Sequence, residues 1–447
     1  MKLTRWTAII HTLFVLLLLA GFALVNHSES SSRLEFELKT AAGGRLDAPE
    51  NPAVFELPAG QQMAVLGKEI FGDAPSEDPV WVELRSDNPQ VSGYSLYGTG
   101  RALDNLGGLR ATSSRLYFIH VLQGPGALAG ERATTRIGLA NPSGERVTIR
   151  LSLDGLNETS GNPVHQGRFA DIRAGGVLEG NLEKLFGPAA SRLRDAHVTV
   201  DVAKGEGVVG YQMTEFPERD SVVGLAPQSP LPVTTLYAPH VAQSAAILTE
   251  VHLLNSTDES QTVDLGLYGT NGEQLGRKVF EVGPRQVFRR DLVEALGLSA
   301  DRVVEGYIVA ECSSPGVLGD VWIVDPQQLR FATVSPLQGL TAREVVLSQL
   351  ANGAGVFTGL AVLNPNPRST AVTVSVFAAD GTRAGEKNFD VEAGQRLVGL
   401  LSDLIPESAG LVGGYVVIRS TEPIVVEEIL GEDSLDYYSI VDPAIVE

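Results

Sequence analysis

Seven histidines, one cysteine and a few groups of carboxylates are the side chains with which this chain could do chemistry. His120 closes the run Tyr117-Phe118-Ile119-His120, and His240 closes Tyr237-Ala238-Pro239-His240; in a third copy of the same segment the place is taken by Gln349. Imidazole and carboxamide can both satisfy a buried strand end, but only imidazole serves as a proton carrier or metal ligand, so the position reads as structural. His197 aligns with Trp81, Tyr307 and Tyr415 and reads as packing. His165 and His252 have no recurring polar partner, and His11 and His27 fall in the N-terminal apolar run and the polar stretch after it. Cys312 is the sole cysteine, which excludes an intrachain disulfide and a paired-thiolate metal site; with no basic neighbour it reads as a passive thiol. Glu427, Glu428, Glu432, Asp433 and Asp436 lack the glycine-punctuated spacing of a calcium loop and read as solvated edges. The loop Gly124–Gly130 has no helix behind it to aim amides at a phosphate, so it reads as a hairpin. Gly-x-Ser-x-Gly, His-Glu-x-x-His and P-loop patterns are absent. The expectation is a non-enzyme with no catalytic residues, no cofactor and no metal.

Binding is the remaining possibility. Trp81, Tyr97, Trp322, Tyr437 and Tyr438 lie on or beside strand-like segments and are the candidate ligand contacts. Facing outward, such rings stack on sugars or anchor a protein partner; strand alternation sends every second residue inward instead. A net charge of −20 without a basic patch argues against nucleic acid. The tripeptides Asn157-Glu158-Thr159 and Asn255-Ser256-Thr257 match the glycosylation acceptor.

The elements that would position these residues recur. About twenty residues after the start of each of these segments comes an apolar run ending in Asn: Leu139-Ala140-Asn141, Leu253-Leu254-Asn255 and Val362-Leu363-Asn364. An alternating strand follows each and leads to Asp154-Gly155, Asn271-Gly272 or Asp380-Gly381, the short-range signature of a β-hairpin. A turn with Gly175, Gly283 or Gly394 precedes a short helix, for which Asn181 and Asp291 are the N-caps in the first two copies. Two more strands close each unit. The Asn positions lie 114 and 109 residues apart, the size of a sandwich domain rather than a solenoid turn. Residues 34–113 match only the later part of a unit and predict a partial sandwich that borrows strands or packs on its neighbour.

Before it, Lys2 and Arg5 precede an apolar run from Thr7 to Val25. It reads as a hydrophobic helix, either a signal peptide cleaved after Ala23 or an uncleaved membrane anchor, followed by a linker at 26–33. The expected layout is 1–25 signal or anchor, 26–33 linker, 34–113 partial repeat, and full repeats at 114–230, 231–339 and 340–447.

The Leu-x-Asn-Pro segment, the Asp-Gly hairpin and the 110-residue period resemble bacterial exported tandem β-sandwich (Ig-like) repeat proteins. The resemblance covers nearly all of the chain after residue 33. It implies an all-β fold with one short helix per repeat and an extracytoplasmic location, secreted, periplasmic or at the cell surface, and it brings no catalytic residues. The function expected is structural or adhesive, with an envelope or surface protein as partner and membrane contact only through residues 7–25. The alternative is a carbohydrate-binding protein using exposed aromatics on a glycan.

Overall fold

The computed structural model describes residues 8–14, 21–72, 80–99, 102–107, 111–128, 131–219, 221–299, 303–327, 332–434, 437–441 and 443–446. Residues 235–336 show the building plan most clearly. An outer sheet runs in the order Thr235–Gln243, Val304–Cys312, Gln261–Tyr268, Gln274–Val282, and an inner sheet runs Val287–Asp291, Leu248–Asn255, Val317–Val324, Ala332–Pro336. Alternation explains the sandwich: Val263, Leu265 and Leu267 point inward to meet Val251, Leu253 and Val321, all fully buried. Asp291 caps the short helix Leu292–Leu296 by accepting from the backbone N–H groups of Val293 and Glu294, and Asn181 does the same for Leu182–Phe186. Among the described residues the strand order of these sandwiches is unlike that of an immunoglobulin domain, so the Ig-like detail is corrected while the all-β sandwich stands.

The same plan recurs at 115–225 and 342–446, where the long strands Arg115–Leu128 and Tyr415–Glu432 pass from one sheet into the other. It also recurs, complete, at the start of the chain. The outer sheet there is Ala8–Phe14, Val80–Ser86, Ser32–Thr40, Ala53–Leu57, and the inner sheet is Gln62–Leu66, Gly21–Asn26, Val91–Thr99, Ala102–Gly107. The apolar run expected to be a helix is therefore strand wherever it is described; Thr7 and residues 15–20 of it lie outside the described residues. Phe22, Leu24 and Val25 are buried, and a cut after Ala23 would divide a paired strand. Among the described residues no helix is long and apolar enough to cross a membrane. The expected linker 26–33 is a tight structural turn, because Asn26 and Ser28 are buried in it.

Asn26 is the clearest sign that this repeat is whole. Its Nδ2 donates to the carbonyls of Ser30, Leu57 and Pro58 at 2.8, 2.9 and 3.2 Å. Asn141, Asn255 and Asn364 make the same three-way contact, each to the residue four ahead and to the end of the outer edge strand. The asparagine column thus clasps the two sheets of every repeat, and a carboxamide suits it because the buried carbonyls need a donor with two hydrogens.

Head-to-tail contacts arrange the four repeats in a closed ring. Their last strands meet in succession: Ala102–Gly107 against Ser221–Leu225, that against Ala332–Pro336, that against Tyr438–Val441, and that back against the first. Asp104, buried near the meeting point, accepts from Gly224 N at 2.7 Å and from Ser439 Oγ at 2.6 Å, and so ties repeat 1 to repeats 2 and 4. Gly224 is required there, since a Cβ would lie 1.4 Å from the Tyr97 hydroxyl.

Candidate functional site

Several of the residues singled out for chemistry, among them Trp81, His120, His240, His252 and Trp322, lie in the seams between repeats. In three of the four seams a ring from the closing strand pair of one repeat meets a tight turn of the next. Trp81 Nε1 donates to Gly175 O at 2.9 Å, the Tyr307 hydroxyl donates to Gly394 O, and the Tyr415 hydroxyl donates to Gly60 O at 2.7 Å. These three glycines adopt positive φ, which presents their carbonyls to the neighbouring repeat. Below each, the backbone N–H of Val177, Arg396 or Gln62 donates to the carbonyl of Ala41, Thr270 or Ala379 across the seam.

The seam between repeats 2 and 3 departs from this rule. Gly155, expected to turn a hairpin, lies inside the strand Val147–Asn157, and the turn is made at Glu158–Asn162. Arg285, not Gly283, holds the positive-φ place, and its guanidinium donates to the Tyr117 hydroxyl at 3.3 Å. His197 is buried in the aromatic column as expected, and burial pushes its pKa down to about 4.

In that seam His120 from repeat 2 packs against His252 from repeat 3, with ring centroids 3.7 Å apart and planes inclined at 45°, and Trp322 is edge-on to His120 at 5.3 Å. His252 does have polar partners, which pattern alone did not reveal. Its Nδ1 is 2.6 Å from Asp320 Oδ1 and its Nε2 is 3.1 Å from Glu250. Arg289 grips the same Glu250 carboxylate with two N–H groups. Burial opposes charge on Glu250, but the hydrogen bonds from His252 and Arg289 outweigh it and hold the carboxyl at about 2. Burial likewise opposes charge on His252, and Asp320 and Glu250 outweigh it, so the imidazole is held above its ordinary range. His120 is pushed well below by burial and by His252 beside it. Ligand atoms of His120, His252 and Asp320 all lie within 4.8 Å of one another.

The seam between repeats 3 and 4 is built around Arg396. Its guanidinium donates to Pro239 O at 3.0 Å and Gly306 O at 2.7 Å and lies 3.4 Å from His240 Nδ1. The Tyr438 hydroxyl is 3.1 Å from His240 Nε2. Burial, with Arg396 adding to it, pushes His240 down to about 3. In the seam between repeats 4 and 1, Gln62 donates to Ser348 O and Gln349 Oε1 and accepts from Gly414 N.

The five aromatic candidates do not form a stacking platform. Trp81 and Trp322 are fully buried, Tyr97 is buried against Asp104, and Tyr437 and Tyr438 pack inside the ring where burial raises both phenols. The rings that looked available for sugars are thus occupied by the neighbouring repeat. Glu427 and Glu428, expected to be solvated, are fully buried; burial lifts the Glu428 carboxyl well above its ordinary value. Asp436 lies outside the described residues. Cys312 is half-buried and its thiol is pushed up to about 11, in keeping with a passive group. Asn255 is buried in its clasp, which removes it as a glycosylation acceptor.

The outside of the ring offers different material. Each outer sheet ends in a strand with no partner on its far side among the described residues: Ala53–Leu57, Pro163–Ile172, Gln274–Val282 and Arg383–Val391. Val54, Phe169 and Val279 occupy one equivalent register position on the first three, opposite Glu35, Arg150 and Asp264, and are 48%, 66% and 55% exposed. Asn388 holds that position in repeat 4. On one pole of the ring, residues 111–113, 227–229, 231, 336–340, 443 and 445 line an apolar basin of about 620 Å³.

No protein-family model and no curated protein matches the chain. Among solved structures, a Thermotoga maritima protein, 1070, is 17% identical over 26% of this chain and 94% of its own, with a TM-score of 0.20. A tetra-tandem repeat from the extending region of a large adhesion protein is 11% identical over 99% of this chain and all of its own, with a TM-score of 0.12. Similarities this low assign neither family nor function.

Proposed function

We propose that the chain is a non-enzymatic structural or adhesive protein of the cell envelope or surface, a rigid ring that holds a protein partner along its outer sheet edges. The observation that carries this reading is the repeated open edge strand with its exposed apolar residue at Val54, Phe169 and Val279. An unpaired edge offers backbone donors and acceptors to an added strand, and an outward side chain at a fixed register supplies selectivity. Four such edges on one ring would also allow multivalent engagement. The burial of Trp81, Tyr97 and Trp322 in seams weighs against the glycan alternative. The extracytoplasmic location rests on the resemblance of the Leu-x-Asn-Pro segment, the Asp-Gly hairpin and the 110-residue period to exported repeat proteins, because the described parts of the apolar run are strands of repeat 1.

The test is capture by the full chain from a native envelope extract divided into protein and polysaccharide fractions. The expected result is saturable capture of one defined protein that weakens at least tenfold in the double variant Phe169→Lys, Val279→Lys. Capture of polysaccharide, or protein capture indifferent to those substitutions, would overturn the reading.

A further inference from the structure

We propose that His120, His252 and Asp320 form a binding site for a divalent transition-metal ion of the zinc class, which clasps repeat 2 to repeat 3. One ligand comes from repeat 2 and two from repeat 3, and their donor atoms already lie within 4.8 Å of one another. Zn–N and Zn–O bonds of about 2.0–2.1 Å place neighbouring ligands of a tetrahedral shell about 3.3 Å apart, a distance these side chains reach by small rotations. Two imidazoles and a carboxylate suit zinc, cobalt or nickel and do not suit magnesium or calcium, which take oxygen.

Two features point to a ligand and not merely to a packed cluster. Neither ring nitrogen of the fully buried His120 has a hydrogen-bond partner among the described residues. An unmet buried polar group destabilises the fold, and a metal ion would remove that cost. His252 is also held as a metal-binding histidine usually is. Its Nε2 faces the Glu250 carboxylate, itself fixed by Arg289, which leaves Nδ1 turned toward Asp320. The 2.6 Å gap between Nδ1 and Asp320 Oδ1 would widen to about 3.3 Å as their shared proton leaves and the ion enters.

Comparison of the seams supports the assignment. Between repeats 3 and 4, a fixed cation, Arg396, stands beside His240. Between repeats 4 and 1, Gln62 meets Gln349. Between repeats 2 and 3 the equivalent residue is Val287, which supplies neither charge nor hydrogen bond. His252 has no counterpart, its place being taken by Ala361 in repeat 4 and Gly138 in repeat 2, while the place of Asp320 is held by a carboxylate, Glu427, in repeat 4 and by Tyr211 in repeat 2. The presence of Gln349 in the histidine column therefore argues against a metal in every seam but not in this one. The same seam lacks, among the described residues, the backbone bond shared by the other three, and a metal clasp would replace it.

The experiment uses the untagged full chain, stripped with a chelator and refolded from denaturant with Zn²⁺, with Co²⁺, or with neither, because the closed seam shields the site. The expected result is one ion retained per chain after gel filtration, an intense visible absorption from four-coordinate Co²⁺, and a raised melting temperature. His120→Gln introduces the side chain that repeat 4 already uses; it should fold, lose the cobalt spectrum and bind at least tenfold more weakly. Asp320→Asn is the second variant and should do the same. A refolded chain that retains no ion, or variants that retain ion and spectrum unchanged, would overturn the site.

Discussion

Leu24 decides whether the apolar N-terminal run is part of the folded ring. It is 1% exposed and two residues before Asn26, the place held by Leu139, Leu253 and Val362 in the other repeats. Leu24→Ala would leave a cavity among Phe22, Leu34, Phe36 and Trp81, which share its core. Buried Leu→Ala changes cost about 3–5 kcal/mol from lost transfer energy plus the cavity. With a urea dependence of about 3 kcal/mol per molar, the unfolding midpoint should fall by about 1 M or more. Leu139→Ala is the internal control: Leu139 is equally buried in the equivalent strand of repeat 2, so the two losses should agree within about 1 kcal/mol. Urea titration of the full chain, followed by the fluorescence of the buried Trp81 and Trp322, reads both. If the run served only as a leader or anchor, Leu24→Ala would leave the midpoint where it was while Leu139→Ala lowered it, and the assignment of Gly21–Asn26 to the core of repeat 1 would be refuted.

Acid should weaken the seam between repeats 3 and 4. His240 is held at about 3 against an ordinary 6.5, so between those values the unfolded chain takes up a proton that the folded chain refuses, and stability present above pH 6.5 drains as pH falls. By pH 5 the loss is about 2 kcal/mol, and His240→Gln should lose that much less between pH 7 and 5 in parallel urea titrations; equal pH dependence in both proteins would contradict the assignment. Arg396, Tyr438, Glu305 and Glu427 surround the same place and remain in both. Gly224→Ala should disrupt ring closure, because the new methyl collides with Tyr97; a larger hydrodynamic radius with far-UV circular dichroism retained is the expected signature. Tyr415→Phe removes the bond to Gly60 O and should cost about 1 kcal/mol, mainly as faster exchange of the Gln62 amide, whereas unchanged exchange would mean that the seam does not depend on it.

The repeat architecture was legible because local physics wrote it. Asn141, Asn255 and Asn364 recur because the clasp needs a carboxamide, and the hairpins at Asn271-Gly272 and Asp380-Gly381 recur because tight turns need their backbone freedom. Asp291 and Asn181 announced their helices for the same reason. The first repeat departs from the expectation although Asn26 stands in its column. Fully buried strands and a membrane-crossing helix share one composition, and the run Leu13–Leu19 has no alternation to separate them.

Composition and pattern determined the elements: all-β sandwiches of about 110 residues, clasped by Asn and joined in series. Only the tertiary structure decided what the polar and aromatic residues are for. Whether Trp322 faces solvent or a neighbouring repeat, and whether His120 meets a Gln, an Arg or a second imidazole, depends on contacts between residues more than a hundred positions apart. Those contacts follow from the angle at which successive sandwiches meet. That angle is set by small differences summed over a whole seam, such as Gly175 against Arg285 in a turn or Gly224 beneath Tyr97, and no short stretch of sequence carries the sum.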